Sequence, residues 1–190
     1  MYLASKVRSH LIFGSNTDVG KTIVSACLAR SAIADLNGDK NSDNVNYIKV
    51  LECGGSDETF IRKYTGCMPN ANESNFNSRT LFRWELPASP HLASRIGNMP
   101  KSDAEVLSSL ENAIVSANGS TTGTGSSVVY VETAGGVLSP SSASPLNNSP
   151  RHSKGTLHYS DKSGQDSLSW GWSTQADLYQ ASHLPVLLVG

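Results

Sequence analysis

The stretch 14–22, Gly-Ser-Asn-Thr-Asp-Val-Gly-Lys-Thr, decides how the rest of the chain is read. It is one residue longer than Gly-x4-Gly-Lys-Ser/Thr, the usual spacing of a phosphate-binding loop. Five residues separate Gly14 from Gly20, and Ser15 stands where that spacing wants its first glycine. Glycine-rich turns of this kind aim backbone N–H groups at phosphate oxygens, and the helix that follows adds the partial positive charge of its N-terminus. In such a loop Lys21 neutralises terminal phosphate charge and the Thr22 hydroxyl is placed to ligate magnesium. The alternative is an ordinary tight turn before a helix, so the flanking segments have to decide.

They favour the loop. His10–Phe13 is a short apolar run that reads as a buried strand. After Lys21, the residues Ile23, Val24, Cys27, Leu28, Ala32, Ile33 and Leu36 recur at near-helical spacing, and Asn37-Gly38 suits the end of that helix. Residues 46–51 read as a second strand, which completes a strand–loop–helix–strand unit with a parallel sheet. Residues 102–118 predict an amphipathic helix, with Ser102 and Glu105 as its capping box and Val106, Leu107, Leu110, Ala113, Ile114 and Ala117 along one face. Residues 128–132 read as a further buried strand, with 133–136 turning away from its end. Residues 174–182 read as a short helix, and 184–189 as another fully buried strand.

The expected fold is therefore α/β: a P-loop NTPase-like parallel sheet flanked by helices. Two segments, 119–127 and 139–173, are rich in Ser, Pro, Asn, Gly and Thr and are read as flexible polar inserts. A buried parallel strand is normally followed by a crossover helix, so a chain stopping at Gly190 reads as a partial domain, incomplete at its C-terminus. Net charge is −1 over 190 residues, which gives no electrostatic footprint for nucleic acid or an anionic membrane. Cys27, Cys53 and Cys67 form no Cys-x-x-Cys pair and are read as reduced, intracellular thiols.

With its extra residue, the loop resembles that of the dethiobiotin synthetases, which carry five residues between the two glycines. Further stretches resemble the same family in the same order: Tyr47–Gly54, Gly55–Phe60 with its Ser56-Asp57, Leu86–Ser94 with its Ser-Pro-His, Tyr130–Gly136, and Leu184–Gly190. Residues 80–94 are most similar to the eukaryotic form, often fused to the preceding aminotransferase of the pathway. The resemblance implies an ATP- and Mg2+-dependent ligase of biotin synthesis that joins CO2 (or bicarbonate) to 7,8-diaminononanoate and closes the ring to dethiobiotin. A carbamate and a carbamic-phosphoric anhydride are the implied intermediates.

That resemblance also implies the site. Lys49, Lys21 and Thr17 would act catalytically, and Thr17, Lys49 and Cys53 would contact substrate. Asp18, Val19, Gly20, Lys21, Thr22, Ile23, Asp57, Glu132, Thr133, Ala134 and Gly135 would surround ATP, and Thr22, Asp57 and Glu132 would ligate Mg2+. Each position has a plainer reading. Lys49 also fits a strand-end surface charge, Asp57 a helix start, and Glu132 a buried carboxylate with a structural partner. His91 in Ser-Pro-His reads as structural.

Three positions depart from the family. Val50 replaces a proline, Cys53 replaces a Ser or Thr, and Thr133 replaces a glycine, where threonine is strained if φ is positive. A homodimer is implied, with a mitochondrial location in eukaryotes and a cytoplasmic one otherwise. Two other readings stay open. One is a nucleotide switch of the same superfamily, disfavoured because no lysine stands early in the loop. The other is an inactive nucleotide-binding fragment.

Overall fold

The computed structural model describes residues 7–36, 44–66, 75–119, 127–142, 144–145, 155–158 and 169–190. Its elements in chain order are β1 (Val7–Gly14), α1 (Lys21–Leu36), β2 (Asn44–Cys53), α2 (Asp57–Thr65), β3 (Phe76–Trp84), α3 (Pro90–Ile96), α4 (Asp103–Gly119), β4 (Ser127–Gly136), β5 (Ser144–Pro145), β6 (Gly155–His158), β7 (Ser169–Trp172), α5 (Gln175–Gln180) and β8 (Val186–Val189).

Five strands make one sheet in the order β3-β2-β4-β1-β8, with every neighbouring pair parallel. The architecture is α/β and P-loop NTPase-like, as the sequence implies. β1 and β2 are parallel but not adjacent, because β4 inserts between them. A separate antiparallel sheet, in the order β5-β7-β6, is built from residues of the 139–173 segment. The rest of that segment's interior (143, 146–154 and 159–168) lies outside the described residues, as do 120–126, Asn37-Gly38 and Cys67.

Strand alternation sorts the side chains into two cores. On one face Ile48, Val50, Val129 and Val131 pack with Val106, Leu110, Ala113 and Ala117 of α4. On the other, Val45 and Tyr47 pack with Ala26 and Ala29 of α1 and Ile61 of α2. Each fully buried aliphatic or aromatic side chain here contributes about 1.5–3 kcal/mol.

The capping box of α4 is made as its sequence predicts. The Glu105 N–H donates to Ser102 Oγ (3.2 Å), and the Ser102 N–H donates to Glu105 Oε2 (2.8 Å). α5 carries a second capping box, between Thr174 and Asp177.

Two expectations need correction. Residues 133–136 do not turn away; β4 continues to Gly136, which pairs with Gly14 across a register shift. β8 is not fully buried. It pairs with β1 alone at the edge of the sheet, leaving Val186 55% and Leu188 65% exposed.

Candidate active site

The site forms where the strands end, at the C-terminal edge of a parallel sheet. The loop after β1 folds back tightly. A Cβ on Gly14 would sit 2.6 Å from the Asn16 carbonyl oxygen and 2.9 Å from Lys21 Nζ, so the position admits only glycine. Gly136, on β4, plays the matching part, since a Cβ there would lie 2.8 Å from Asn16 Cα. Asp18 and Gly20 take left-handed φ values of 59° and 93°, which turn the chain into α1. Aspartate is one of the few non-glycine residues that visit this region readily. Lys21 Nζ donates to the Asn16 carbonyl (3.2 Å), closing the loop from within.

Glu132 is the centre of the site. Its carboxylate is fully buried and accepts four hydrogen bonds. Thr22 Oγ1 (2.9 Å) and Lys49 Nζ (2.8 Å) donate to Oε1, while Ser25 Oγ (2.7 Å) and Tyr47 OH (3.1 Å) donate to Oε2. A buried carboxylate with all its lone pairs engaged avoids the desolvation cost that an isolated one would carry. Lys49 Nζ also lies 2.6 Å from Asp57 Oδ2 and donates to the Thr133 carbonyl (3.3 Å). Lys49 is thus a buried bridge between two carboxylates rather than a surface charge.

Charge and burial set the titrations. Burial pulls the Lys49 ammonium down, but Glu132 and Asp57 outweigh it and hold its titration above that of an ordinary lysine. Burial lowers Lys21, and repulsion from Lys49 lowers it further. Burial, reinforced by Glu132, raises Tyr47 and keeps its hydroxyl a donor. The half-buried Cys53 thiol is pushed up to about 11, chiefly by burial, and stays protonated at neutral pH.

These groups border one cavity of about 900 Å³. Of the site residues that the resemblance implies, Thr17, Asp18, Gly20, Lys21, Thr22, Ile23, Lys49, Cys53, Asp57, Glu132, Ala134 and Gly135 line it. Val19 and Thr133 do not. Val19 packs beneath Gly14, and Thr133 is buried with its Oγ1 donating to the Ile12 carbonyl (3.1 Å). Thr133 is not among the positive-φ residues; the left-handed turn falls on Gly135 instead (φ 59°), so the threonine carries no such strain. Val50, in the proline position, is fully buried in the core beneath the site. His91 is half-buried beside the Trp172 ring (5.9 Å between centroids) and does not line the cavity; burial and then Arg95 lower its titration. Asp57 is the first residue of α2, with Ser56 as the N-cap, so its helix-start reading and its place in the site hold together.

Sequence reasoning missed Glu52, Arg83, Tyr47 and Ser25. A signal existed for two of them. Glu52 is a lone acid in an apolar strand, which calls for a partner, and Tyr47 shares a strand face with Lys49 two residues on.

The chain matches no protein-family model. It is 32% identical over 183 residues to the bifunctional dethiobiotin synthetase/adenosylmethionine-8-amino-7-oxononanoate aminotransferase of Emericella nidulans, covering 96% of this chain and 18% of that protein. To the ATP-dependent dethiobiotin synthetase of Chlamydia pneumoniae it is 32% identical over 141 residues, 72% of this chain and 48% of that protein. To the mitochondrial bifunctional dethiobiotin synthetase/7,8-diamino-pelargonic acid aminotransferase of Oryza sativa it is 27% identical, over 94% of this chain and 23% of that protein. The chain therefore spans less than half the length of each of these relatives. It aligns with proteins named for the synthetase alone and with bifunctional ones named also for the aminotransferase, and is itself a homologue of the dethiobiotin synthetases.

Proposed function

We propose that this chain carries the nucleotide- and diamine-binding part of a dethiobiotin synthase, which uses ATP and CO2 to close 7,8-diaminononanoate into dethiobiotin. The observation that carries the reading is the Lys49 bridge to Asp57 and Glu132, set in one cavity with Lys21 and the N-terminus of α1. The names of the relatives agree with it.

The reaction brings two anions together, a carbamate and the terminal phosphate of ATP, so it needs fixed cations where they meet. Lys49, held above the ordinary lysine range, stays an ammonium at neutral pH and serves as a cation rather than a base. Lys21 and Lys49 repel each other, and an anion seated between them relieves that repulsion. Gly20, Lys21 and Thr22 at the start of α1 line the same cavity, and N–H groups at a helix N-terminus favour phosphate oxygens. Thr17 and the Cys53 thiol border the cavity and are assigned to the substrate end. Leu51, Phe60 and Pro87 also line the cavity and give it apolar surface, which suits a methylene chain.

Thr22, Asp57 and Glu132 offer one hydroxyl and two carboxylates, the hard oxygen donors that magnesium takes. The Lys49 ammonium now fills the space between the two carboxylates, so to hold the ion Glu132 would have to give up its Lys49 or Thr22 hydrogen bond. When bound, magnesium neutralises charge on the β- and γ-phosphate oxygens.

The bifunctional relatives support an association with the aminotransferase, as a fused or a separate partner, and a homodimer is proposed as the working unit. Among the described residues no helix is long and apolar enough to cross a membrane. The mitochondrial names of the plant relatives support a mitochondrial location if the source is eukaryotic.

The test supplies diaminononanoate, bicarbonate, ATP and magnesium to this chain and to a full-length homologue in parallel. Mass spectrometry follows dethiobiotin, and calorimetry follows ATP binding. Dethiobiotin formed by the homologue, with magnesium-dependent ATP binding by this chain, supports the reading. Failure of this chain to bind ATP at millimolar concentration sinks it.

A further inference from the structure

Glu52 lies within the Tyr47–Gly54 stretch but is given no role by the resemblance, yet it is only 3% exposed and borders the cavity. We propose that Glu52 is a positioning residue, which holds Asp57 against Lys49 and is itself held by Arg83. Its two oxygens divide the task. Oε1 accepts the Asp57 backbone N–H (2.5 Å), and Oε2 takes both Nε and Nη2 of Arg83, each at 2.6 Å. Glu52 and Arg83 are register partners on β2 and β3, so the pair is set by strand alignment.

The bond is also a cap of α2: Ser56 Oγ accepts the Thr59 N–H, and Glu52 accepts the Asp57 N–H that this leaves unpaired. In doing so it fixes the one residue of that turn whose side chain reaches Lys49. In a regular strand, residues 49 and 52 face opposite sides. Both reach Asp57 because the chain folds back over the end of β2, through Gly54 at φ 66°. The Arg83 end of the pair is 42% exposed and partly screened by solvent, so the N–H bond does the placing. Two charged links result, Arg83 to Glu52 and Asp57 to Lys49 to Glu132, joined by a single backbone hydrogen bond. That Asp57 serves an ATP–magnesium site rests on the function proposed above; that Glu52 places Asp57 does not.

The test reads Lys49 directly, by NMR titration of protein labelled at lysine 13Cε, with the resonance assigned by its loss in Lys49→Met. Asp57→Asn sets the scale, lowering the Lys49 titration by about one pH unit or more. Glu52→Ala and Glu52→Gln both remove the charge of Glu52, but only glutamine keeps an acceptor for the Asp57 N–H. The expected result is a Lys49 titration clearly lower in Glu52→Ala than in Glu52→Gln. Equal titrations in the two variants overturn the proposal. If Glu52→Ala does not fold, Glu52→Thr, whose hydroxyl is too short to reach α2, takes its place. In the same variants magnesium-dependent ATP affinity is expected to be about tenfold weaker with alanine than with glutamine. Absence of any ATP binding by the parent chain would remove the proposed function while the Lys49 titration still decides the role of Glu52.

Discussion

Lys49 and Glu132 are register partners on the adjacent parallel strands β2 and β4, and their side chains meet at 2.8 Å with Glu132 fully buried. Partners in register on neighbouring strands project to the same face of a sheet. Here that is the face of α1, whose Thr22 and Ser25 supply two further donors to the same carboxylate. Removing the lysine leaves Glu132 short of a donor and Asp57 without its charge partner. Lys49→Met is expected to lower unfolding stability at pH 7 by about 3 kcal/mol or more, because one buried partner loses its counter-charge. Urea denaturation without nucleotide or magnesium checks this, and an unchanged midpoint would mean that the bridge contributes no stability.

The same two lysines are expected to differ in function. Lys49→Ala, made in a full-length homologue at the equivalent position, should abolish dethiobiotin formation and change ATP affinity by no more than a few-fold. Lys21→Ala, beside the loop and the α1 N-terminus, should weaken ATP binding and turnover together. Calorimetry beside a product assay separates the two, and normal turnover by the Lys49 variant would remove Lys49 from the substrate site.

Lys49 also sets an alkaline limit. Its folded titration is raised above the ordinary lysine value of about 10.4. The stability it adds is therefore complete below that value and is lost as pH rises through the folded value. The wild-type chain should lose stability on that alkaline limb more steeply than Lys49→Met. Parallel curves for the two proteins above pH ~10.5 would count against the bridge.

A second pH effect lies on the acid side. Burial raises the Asp103 carboxyl at the start of α4, although Ser173 Oγ (2.5 Å) and Ser141 Oγ (3.1 Å) donate to it. The folded state thus holds this proton more tightly than the unfolded chain does. Its contribution is largest below the ordinary carboxyl range and is lost as pH rises through the folded value. Asp103→Asn should flatten that part of the stability profile, as read from thermal midpoints between acidic and neutral pH. An identical profile in the variant would show that Asp103 titrates normally.

Gly54 and Gly20 offer a matched pair of substitutions. Both have positive φ (66° and 93°), but a Cβ on Gly54 would lie 2.4 Å from Pro87 Cα, whereas one on Gly20 meets nothing within 4 Å. Gly20→Ala should cost only the left-handed backbone term, about 1–2 kcal/mol. Gly54→Ala must in addition displace the backbone at Pro87, and is expected to exceed it by about 1 kcal/mol or more. Equal costs would show that the Pro87 backbone yields freely.

Much of the fold is legible in the sequence. The apolar run before Gly14, the periodicity after Lys21 and the Ser102–Glu105 box depend on residues close in the chain, and such signals survive without tertiary context. β3 is harder to read, because its inward positions alternate with Asn77, Arg79 and Arg83, and only its second half, from Thr80, falls in a stretch that resembles the family. The exposure of β8 could not be read at all, since an apolar run looks the same at the centre of a sheet and at its edge.

The site divides along the same line. That a glycine-bounded loop ends in Lys21 and Thr22 at the head of a helix is readable from the residues, because that geometry is local. Resemblance marks Lys49, Asp57 and Glu132 as chemical candidates. That these three form one charged bridge emerges only in the folded chain, since Lys49 and Glu132 are 83 residues apart and meet through strand order and register. The same holds for Tyr47 and Ser25 on Glu132, and for Glu52 between Asp57 and Arg83. Which buried charge finds which partner depends on how the strands are ordered and aligned, and no window along the chain contains that information.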